Sequence, residues 1–253
     1  MEAYFLSDIH LKSVDERNGQ ILLRFFNSLI DQQSQQDNQK DVHLFLLGDI
    51  FDWWLSDHQV FIDKFYPVIE PIQKLIKQGV KVYFFEGNHD LHIHPYWADK
   101  LGVRVFTDPQ YFQLGPWQVR CEHGDLINLE DKNYLRLRAL FRHSWVEALG
   151  HYLPGRMWEK IGLFLSHKSR KISAAYREDK EKKLIQMIRH HAERAFKEKP
   201  FDFIITGHMH VRVDFYFGET KIKPGSINLG SWFGDVKILK LTETGPQWLT
   251  INN

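Results

Sequence analysis

Five short segments of strand character, most of them apolar and each leading into a polar cluster, organise this chain. Ala3–Leu6 runs into Ser7-Asp8-Ile9-His10, Val42–Leu47 into Gly48-Asp49, and Val80–Phe85 into Gly87-Asn88-His89-Asp90. Gln118–Glu122 leads to His123-Gly124-Asp125, and Phe203–Thr206 to Gly207-His208-Met209-His210. Such runs, rich in β-branched and aromatic residues, predict strands covered on both faces. Between the first three lie stripes at helical spacing: Ile21, Leu22, Phe25, Phe26 and Leu29, then Val68, Ile69, Ile72, Leu75 and Ile76. The alternation predicts βαβ units in an α/β layered fold. Sheets of this kind place their sites among the polar residues that follow strand carboxyl ends.

The interval 126–200 reads differently. Leu137, Leu140, Phe141, Trp145 and Leu149 fall on one helical stripe. Met157, Trp158, Ile161, Phe164 and Leu165 form a second, and Leu184, Ile185, Ile188 and Ala192 a third. Pro154-Gly155 separates the first two, as a helix breaker would. The expectation is a helical cap inserted at 126–200 within a single domain spanning 1–253. Its stripes read first as helix–helix packing and second as the lining of an acyl groove.

Composition alters this picture in two respects. With 43% hydrophobic and 26% charged residues, the chain is ordinary globular material. A single cysteine, Cys121, excludes an intramolecular disulfide framework and a Cys-rich zinc site, and is expected as a small buried hydrophobe. No basic region precedes a long apolar one at the start, and no apolar run approaches the ~20 residues that span a bilayer. A cytoplasmic protein is expected, at most peripheral on the cytoplasmic face of the inner membrane.

The formal net charge of +1 conceals an asymmetry. Lys132–Lys199 carries 17 Lys+Arg against 7 Asp+Glu, while the rest of the chain carries 16 against 25. A basic helical segment on an acidic body points to an anionic partner. Its Leu-, Ile- and Trp-rich amphipathic character, without a nucleic-acid motif, directs that expectation away from nucleic acid. No obligate protein partner is evident.

The clusters themselves carry the chemistry. Convergent Asp, His and Asn side chains bind divalent ions. In an extended Asp-x-His or His-x-His segment, alternate side chains point the same way and reach a common ion. Adjacent glycines allow sharp turns and close backbone approach. One such cluster is a weak signal; five in series, each after a strand, are not.

This series, D-x-H…GD…GNHD…H…GHxH, resembles the calcineurin-like metallophosphoesterase family. The resemblance implies a two-sheet sandwich flanked by helices, with a dinuclear metal centre at one end. It implies that Asp8, His10 and His210 hold one divalent ion, that Asn88, His123 and His208 hold the other, and that Asp49 bridges them. Manganese is favoured, with iron and zinc compatible with the same donors. His89 is the candidate to steady the transition state or protonate the leaving group, and Asp90 the candidate to orient an imidazole.

Within the family, Gly48-Asp49-Ile50-Phe51-Asp52-Trp53-Trp54, Asp131-x-x-Tyr134-x-x-x-Arg138 and Leu229-Gly230-Ser231-Trp232 are similar to hydrolases of lipid-linked UDP-sugars. That similarity implies cleavage of the pyrophosphate of UDP-2,3-diacylglucosamine to UMP and a diacylglucosamine 1-phosphate. The alternative is another phosphodiester or phosphomonoester. Trp54, Asp131, Tyr134, Arg138, Ser166, Lys168 and Ser169 are the candidate substrate contacts. His92 and His94, just beyond the Asn88 cluster, are the remaining histidines placed to matter.

Overall fold

Strand β1 (Glu2–Leu6) pairs in parallel with β2 (Val42–Leu46) on one side and, on the other, antiparallel with a strand from the far end of the chain. The computed structural model describes residues 1–35, 41–143, 145–146, 155–158, 178–218 and 223–251. Between β1 and β2 lies α1 (Arg17–Ser34). After β2 come β3 (Trp54–Leu55), α2 (Gln59–Lys77), β4 (Lys81–Phe85), β5 (Asp90–Leu91) and α3 (His94–Trp97). Then follow β6 (Arg104–Phe106), β7 (Gln110–Leu114), β8 (Trp117–Cys121), α4 (Lys132–Phe141) and α5 (Glu178–Glu198). The chain closes with β9 (Phe203–Thr206), β10 (Arg212–Tyr216), β11 (Gly225–Leu229), β12 (Lys237–Thr242) and β13 (Gly245–Thr250).

These strands form a six-stranded sheet, β13-β12-β1-β2-β4-β6, and a five-stranded sheet, β10-β11-β9-β8-β7, with β3 and β5 as a small separate pair. Ala3, Phe5, Phe45, Leu47, Tyr83 and Phe85 of the first sheet meet Val119, Cys121, Phe203, Ile205, Ile227 and Leu229 of the second. The alternate residues Tyr4, Leu6, Leu44, Leu46, Val82 and Phe84 turn the other way, onto the apolar stripes of α1 and α2. Period-two alternation therefore serves two cores at once, which is why β2 is buried at every position and reads as an unbroken apolar run. Burying each such Leu or Phe contributes roughly 1.5–3 kcal/mol. On the outer face of the second sheet, Ile204 packs with Ala192 and Ala195 of α5. The result is the helix–sheet–sheet–helix sandwich that the motif series implies, and Cys121 is fully buried inside it.

The apolar stripe of α4 packs inward only at Phe141, which lies against the core: none of its residues is fully buried, and Leu137 and Leu140 are each 47% exposed. Trp145 and Met157 are also about half exposed, at 50% and 49%. Leu149, Ile161, Phe164, Leu165, Ser166, Lys168 and Ser169 lie outside the described residues. Among the described residues, no helix is long and apolar enough to cross a membrane.

Candidate metal centre

Five polar loops leave the carboxyl ends of β1, β2, β4, β8 and β9. The first three strands run parallel in one sheet and the last two run parallel in the other, so their carboxyl ends converge on one edge of the sandwich. The local backbone departs from the extended segments expected from the Asp-x-His and His-x-His spacing. Asp8 and His10 both have φ of 50°, Asp49 53°, His208 64° and His210 56°. These left-handed conformations are disfavoured for residues with a Cβ and are held only by their surroundings. They swing each donor off its strand toward the shared edge. Gly87 and Gly207 are required by close approach: a Cβ on Gly87 would lie 2.1 Å from Asp49 Oδ1, and one on Gly207 would lie 2.4 Å from Asp8 Oδ2.

Two groups of donors result. Asp8, His10 and His210 offer ligand atoms within 4.8 Å of one another, as do Asp49, His123 and His208. In the first, His10 Nε2 lies 3.2 Å from His210 Nε2, and His210 Nε2 lies 3.1 Å from Asp8 Oδ1. In the second, His208 Nδ1 lies 3.2 Å from His123 Nε2, which is 3.3 Å from Asn88 Oδ1. Asp49 Oδ2 stands between the groups, 3.9 Å from His10 Nε2 and 3.7 Å from His123 Nε2.

Neighbouring groups orient these donors. Asp8 Oδ2 accepts from the Ser7 hydroxyl at 2.6 Å and from the His208 main-chain N–H at 2.8 Å. Its other oxygen, Oδ1, is buried and makes no well-formed hydrogen bond among the described residues, its near neighbour being His210 Nε2 at 3.1 Å. His123 Nδ1 donates to the Leu47 carbonyl at 2.8 Å, which fixes the tautomer and leaves Nε2 as a bare donor facing Asp49. A buried carboxylate oxygen that faces converging imidazole nitrogens, with no main-chain N–H on it, fits a divalent cation.

The electrostatics divide the donors. Burial opposes ionisation of Asp49, yet the surrounding imidazoles of His123, His89, His10 and His208 hold it below the usual carboxylate range. Asp8 is likewise lowered, with burial opposed chiefly by His210. Burial pushes His10 and His208 down to about 4. Against burial, Asp49 and Asp8 raise His123 and Asp8 raises His210, so those two imidazoles must give up a proton to a bound cation. Ionised carboxylates and neutral imidazoles are the forms that bind metal.

His89 lies against this centre. Its ring packs edge-on to His10 at 4.7 Å, and its Nδ1–H donates to the Asp52 carbonyl at 2.7 Å, leaving Nε2 as the nitrogen able to exchange a proton. Asp90 does not orient an imidazole. Its two carboxylate oxygens accept the main-chain N–H groups of Ile50 and Phe51 at 2.8 and 3.1 Å, so it braces the loop that carries Asp49. Trp54 is also not a cleft residue. It is fully buried among Phe51, Phe61, Phe65, Tyr96 and Trp97, with its indole N–H on the Ser56 carbonyl at 2.7 Å.

The candidates on α4 divide. Tyr134 reaches the centre: its ring is 5.5 Å from that of His208, and its hydroxyl is buried without a partner. Asp131 caps the helix by accepting the Tyr134 N–H at 2.9 Å. Arg138 pairs with Asp125, and Arg142 donates to the carbonyls of Glu86 and Thr107 at 3.1 Å each. The helix is thereby pinned to the loop after β8 and to the end of β4. His92 adds a further tie, 2.7 Å from the Phe141 carbonyl, whereas His94 pairs at the surface with Asp99 at 3.5 Å.

Two residues to which the motifs gave no role also bear on the centre. Asp52 groups with His10 and His89 within 4.8 Å. Asn228, fully buried in β11, donates to the Gly207 carbonyl at 2.7 Å and to Thr206 Oγ1 at 2.8 Å, fixing the His208 loop. An amide inside the otherwise small and apolar run Gly225–Leu229 is the signal that could have identified it.

Sequence comparison with known proteins agrees with the motif series. A family model described as calcineurin-like phosphoesterase matches residues 1–212. The UDP-2,3-diacylglucosamine hydrolase of Haemophilus influenzae is 27% identical over 248 residues, covering 96% of each chain. That of Vibrio cholerae is 26% identical over 250 residues, covering 94% of each. Among solved structures, an archaeal phosphodiesterase aligns over 99% of each chain with 15% identity and a TM-score of 0.47.

Proposed function

This chain belongs to the calcineurin-like phosphoesterase family and is a metal-dependent hydrolase, and from that premise we propose that it cleaves the pyrophosphate of UDP-2,3-diacylglucosamine, releasing UMP and 2,3-diacylglucosamine 1-phosphate. Members of the family use a dinuclear divalent centre. The observation that carries the reading is the pair of donor groups sharing Asp49 Oδ2, set beneath a helix that presents apolar side chains outward. The Haemophilus and Vibrio hydrolases support the substrate, since their alignment runs through the helical insertion as well as the motifs.

In this reading Asp8, His10 and His210 hold one ion, Asn88, His123 and His208 the other, and Asp49 both. Manganese is the favoured metal. When bound, two such ions supply charge neutralisation for the phosphoryl oxygens and acidify water for attack. The chain supplies the rest. The left-handed loops hold the donors rigid, so little reorganisation is needed as charge develops. His89 Nε2 passes a proton to the departing phosphate oxygen, its ring held by Asp52 and its main chain by Asp49. Tyr134 closes the His208 side against water, and the exposed Leu137 and Leu140 meet the acyl chains. The basic segment around α4 draws the anionic substrate, and the membrane surface that contains it, to this face.

Purified protein loaded with Mn²⁺ and incubated with UDP-2,3-diacylglucosamine tests the proposal. Release of UMP with a stoichiometric lipid phosphate is the expected result. Turnover of bis-p-nitrophenyl phosphate without UMP release would leave a phosphoesterase of another substrate.

A further inference from the structure

Among the described residues, one large aromatic ring beside the centre has no partner on its outer side. Phe233 is 55% exposed, yet its ring lies parallel to the His10 imidazole, 5.3 Å away at 12°, and meets the His210 ring at 5.6 Å and 71°. The loop that presents it is fastened on both sides. Trp232, only 2% exposed, donates its main-chain N–H to the Asp8 carbonyl at 3.2 Å, while its own carbonyl accepts from Asn18 at 3.2 Å. The Gly234 carbonyl accepts from Arg17, also at 3.2 Å. A loop held this way offers a flat apolar face in a fixed place, so little ordering entropy is lost when something stacks on it.

Its position also breaks the symmetry of the centre. Phe233 flanks His10 and His210, whereas Tyr134 flanks His208 on the other donor group. Tyr134 belongs to the helix that exposes Leu137 and Leu140, so the side suited to acyl chains is already assigned. A pyrophosphate substrate lying across both groups must place its remaining half beside Phe233.

Resting on a UDP-linked substrate, we infer that Phe233 is the platform on which the substrate's nucleobase stacks, so that the nucleotide half lies on the His10/His210 side and the acylated half on the Tyr134/His208 side. Base–aromatic stacking is sequence-tolerant, because every base presents a π-face. Phe233 is thus a specificity-determining residue that favours nucleoside phosphates over phosphates lacking a base.

Equilibrium binding of UMP and of ribose 5-phosphate to the Mn²⁺-loaded protein isolates the base, since both ligands carry the same sugar and phosphate. Wild type is expected to bind UMP about tenfold more tightly, the range of one stacked base. Phe233→Ala and Phe233→Leu should abolish that difference, with ribose 5-phosphate affinity within about twofold of wild type, whereas Phe233→Trp should keep it. Metal content measured on each variant reports the integrity of the centre. If Phe233→Ala disturbs it, the Leu variant, which retains apolar bulk over His10, carries the test. Equal wild-type affinities, an unchanged preference in both variants, or equal weakening of both ligands would overturn the inference. Failure to release UMP from the diacyl substrate, with the UMP preference intact, would overturn the substrate reading and leave the platform standing.

Discussion

His89 donates its main-chain N–H to Asp49 Oδ1 over 2.8 Å. The residue assigned to proton transfer is therefore fastened to the carboxylate that stands between the two donor groups. The opposite oxygen, Asp49 Oδ2, faces His10 and His123. In the proposed reading one side chain would set both the spacing of the metal site and the placement of the acid, and changes at the two residues should separate these roles.

Asp49→Asn keeps an oxygen for the His89 N–H but removes the shared negative charge. Turnover of bis-p-nitrophenyl phosphate should fall by more than about a hundredfold, beyond the loss typical of residues that merely support a ligand. Bound metal per chain, measured by mass spectrometry, should fall with it. An Asn variant with a full metal complement would remove Asp49 from the ligand set.

His89→Ala should leave the metal content unchanged and lower kcat by about 10²–10⁴-fold, the range for loss of a positioned acid. Metal analysis beside steady-state kinetics separates the two effects. Wild-type turnover in this variant would assign the proton to another group.

Asp90→Ala should act on stability before chemistry. It strands the buried N–H groups of Ile50 and Phe51, each at a cost of about 1–3 kcal/mol. The midpoint of urea unfolding should drop accordingly, and an unchanged midpoint would show that water replaces the carboxylate.

His43 gives a pH dependence remote from the centre. Burial in β2 holds its imidazole below the ordinary value, against the opposing pull of Asp41. The unfolded chain therefore takes up this proton first, and its contribution to stability is lost as pH falls below about 6.5. Urea unfolding of wild type and His43→Phe at pH 7.5 and 5.5 reads the effect, and the variant should lose less stability between them. Equal losses would place the acid sensitivity elsewhere.

The sandwich and most of the donor set were legible along the chain because both rest on local patterns. An apolar run must be covered on both faces wherever it lies, and Asp, His and Asn in series after strands have little else to do together. The same economy misled at Asp90 and Trp54. A carboxylate beside a ligand and an indole in a motif look like site residues until their partners are known. Asp90's partners lie 40 and 39 positions away, in the Asp49 loop. Trp54's are the aromatic side chains of α2 and α3.

By itself, the sequence determined the five strands that end in polar clusters, which atoms are available to bind metal, and that a basic, apolar-striped stretch separates the last two of them. Only the tertiary structure decided how those atoms face one another. His208 reaches the Asp8 carboxylate across 200 positions, and five candidate ligands are turned into left-handed backbone that no local preference would select. Phe233 beside His10 was equally out of reach of any motif. The reason is that local propensity is worth fractions of a kcal/mol per residue, whereas the packing of two sheets and their helices is worth far more. The core sets where strand ends meet, and the loops between them take whatever conformation that meeting demands.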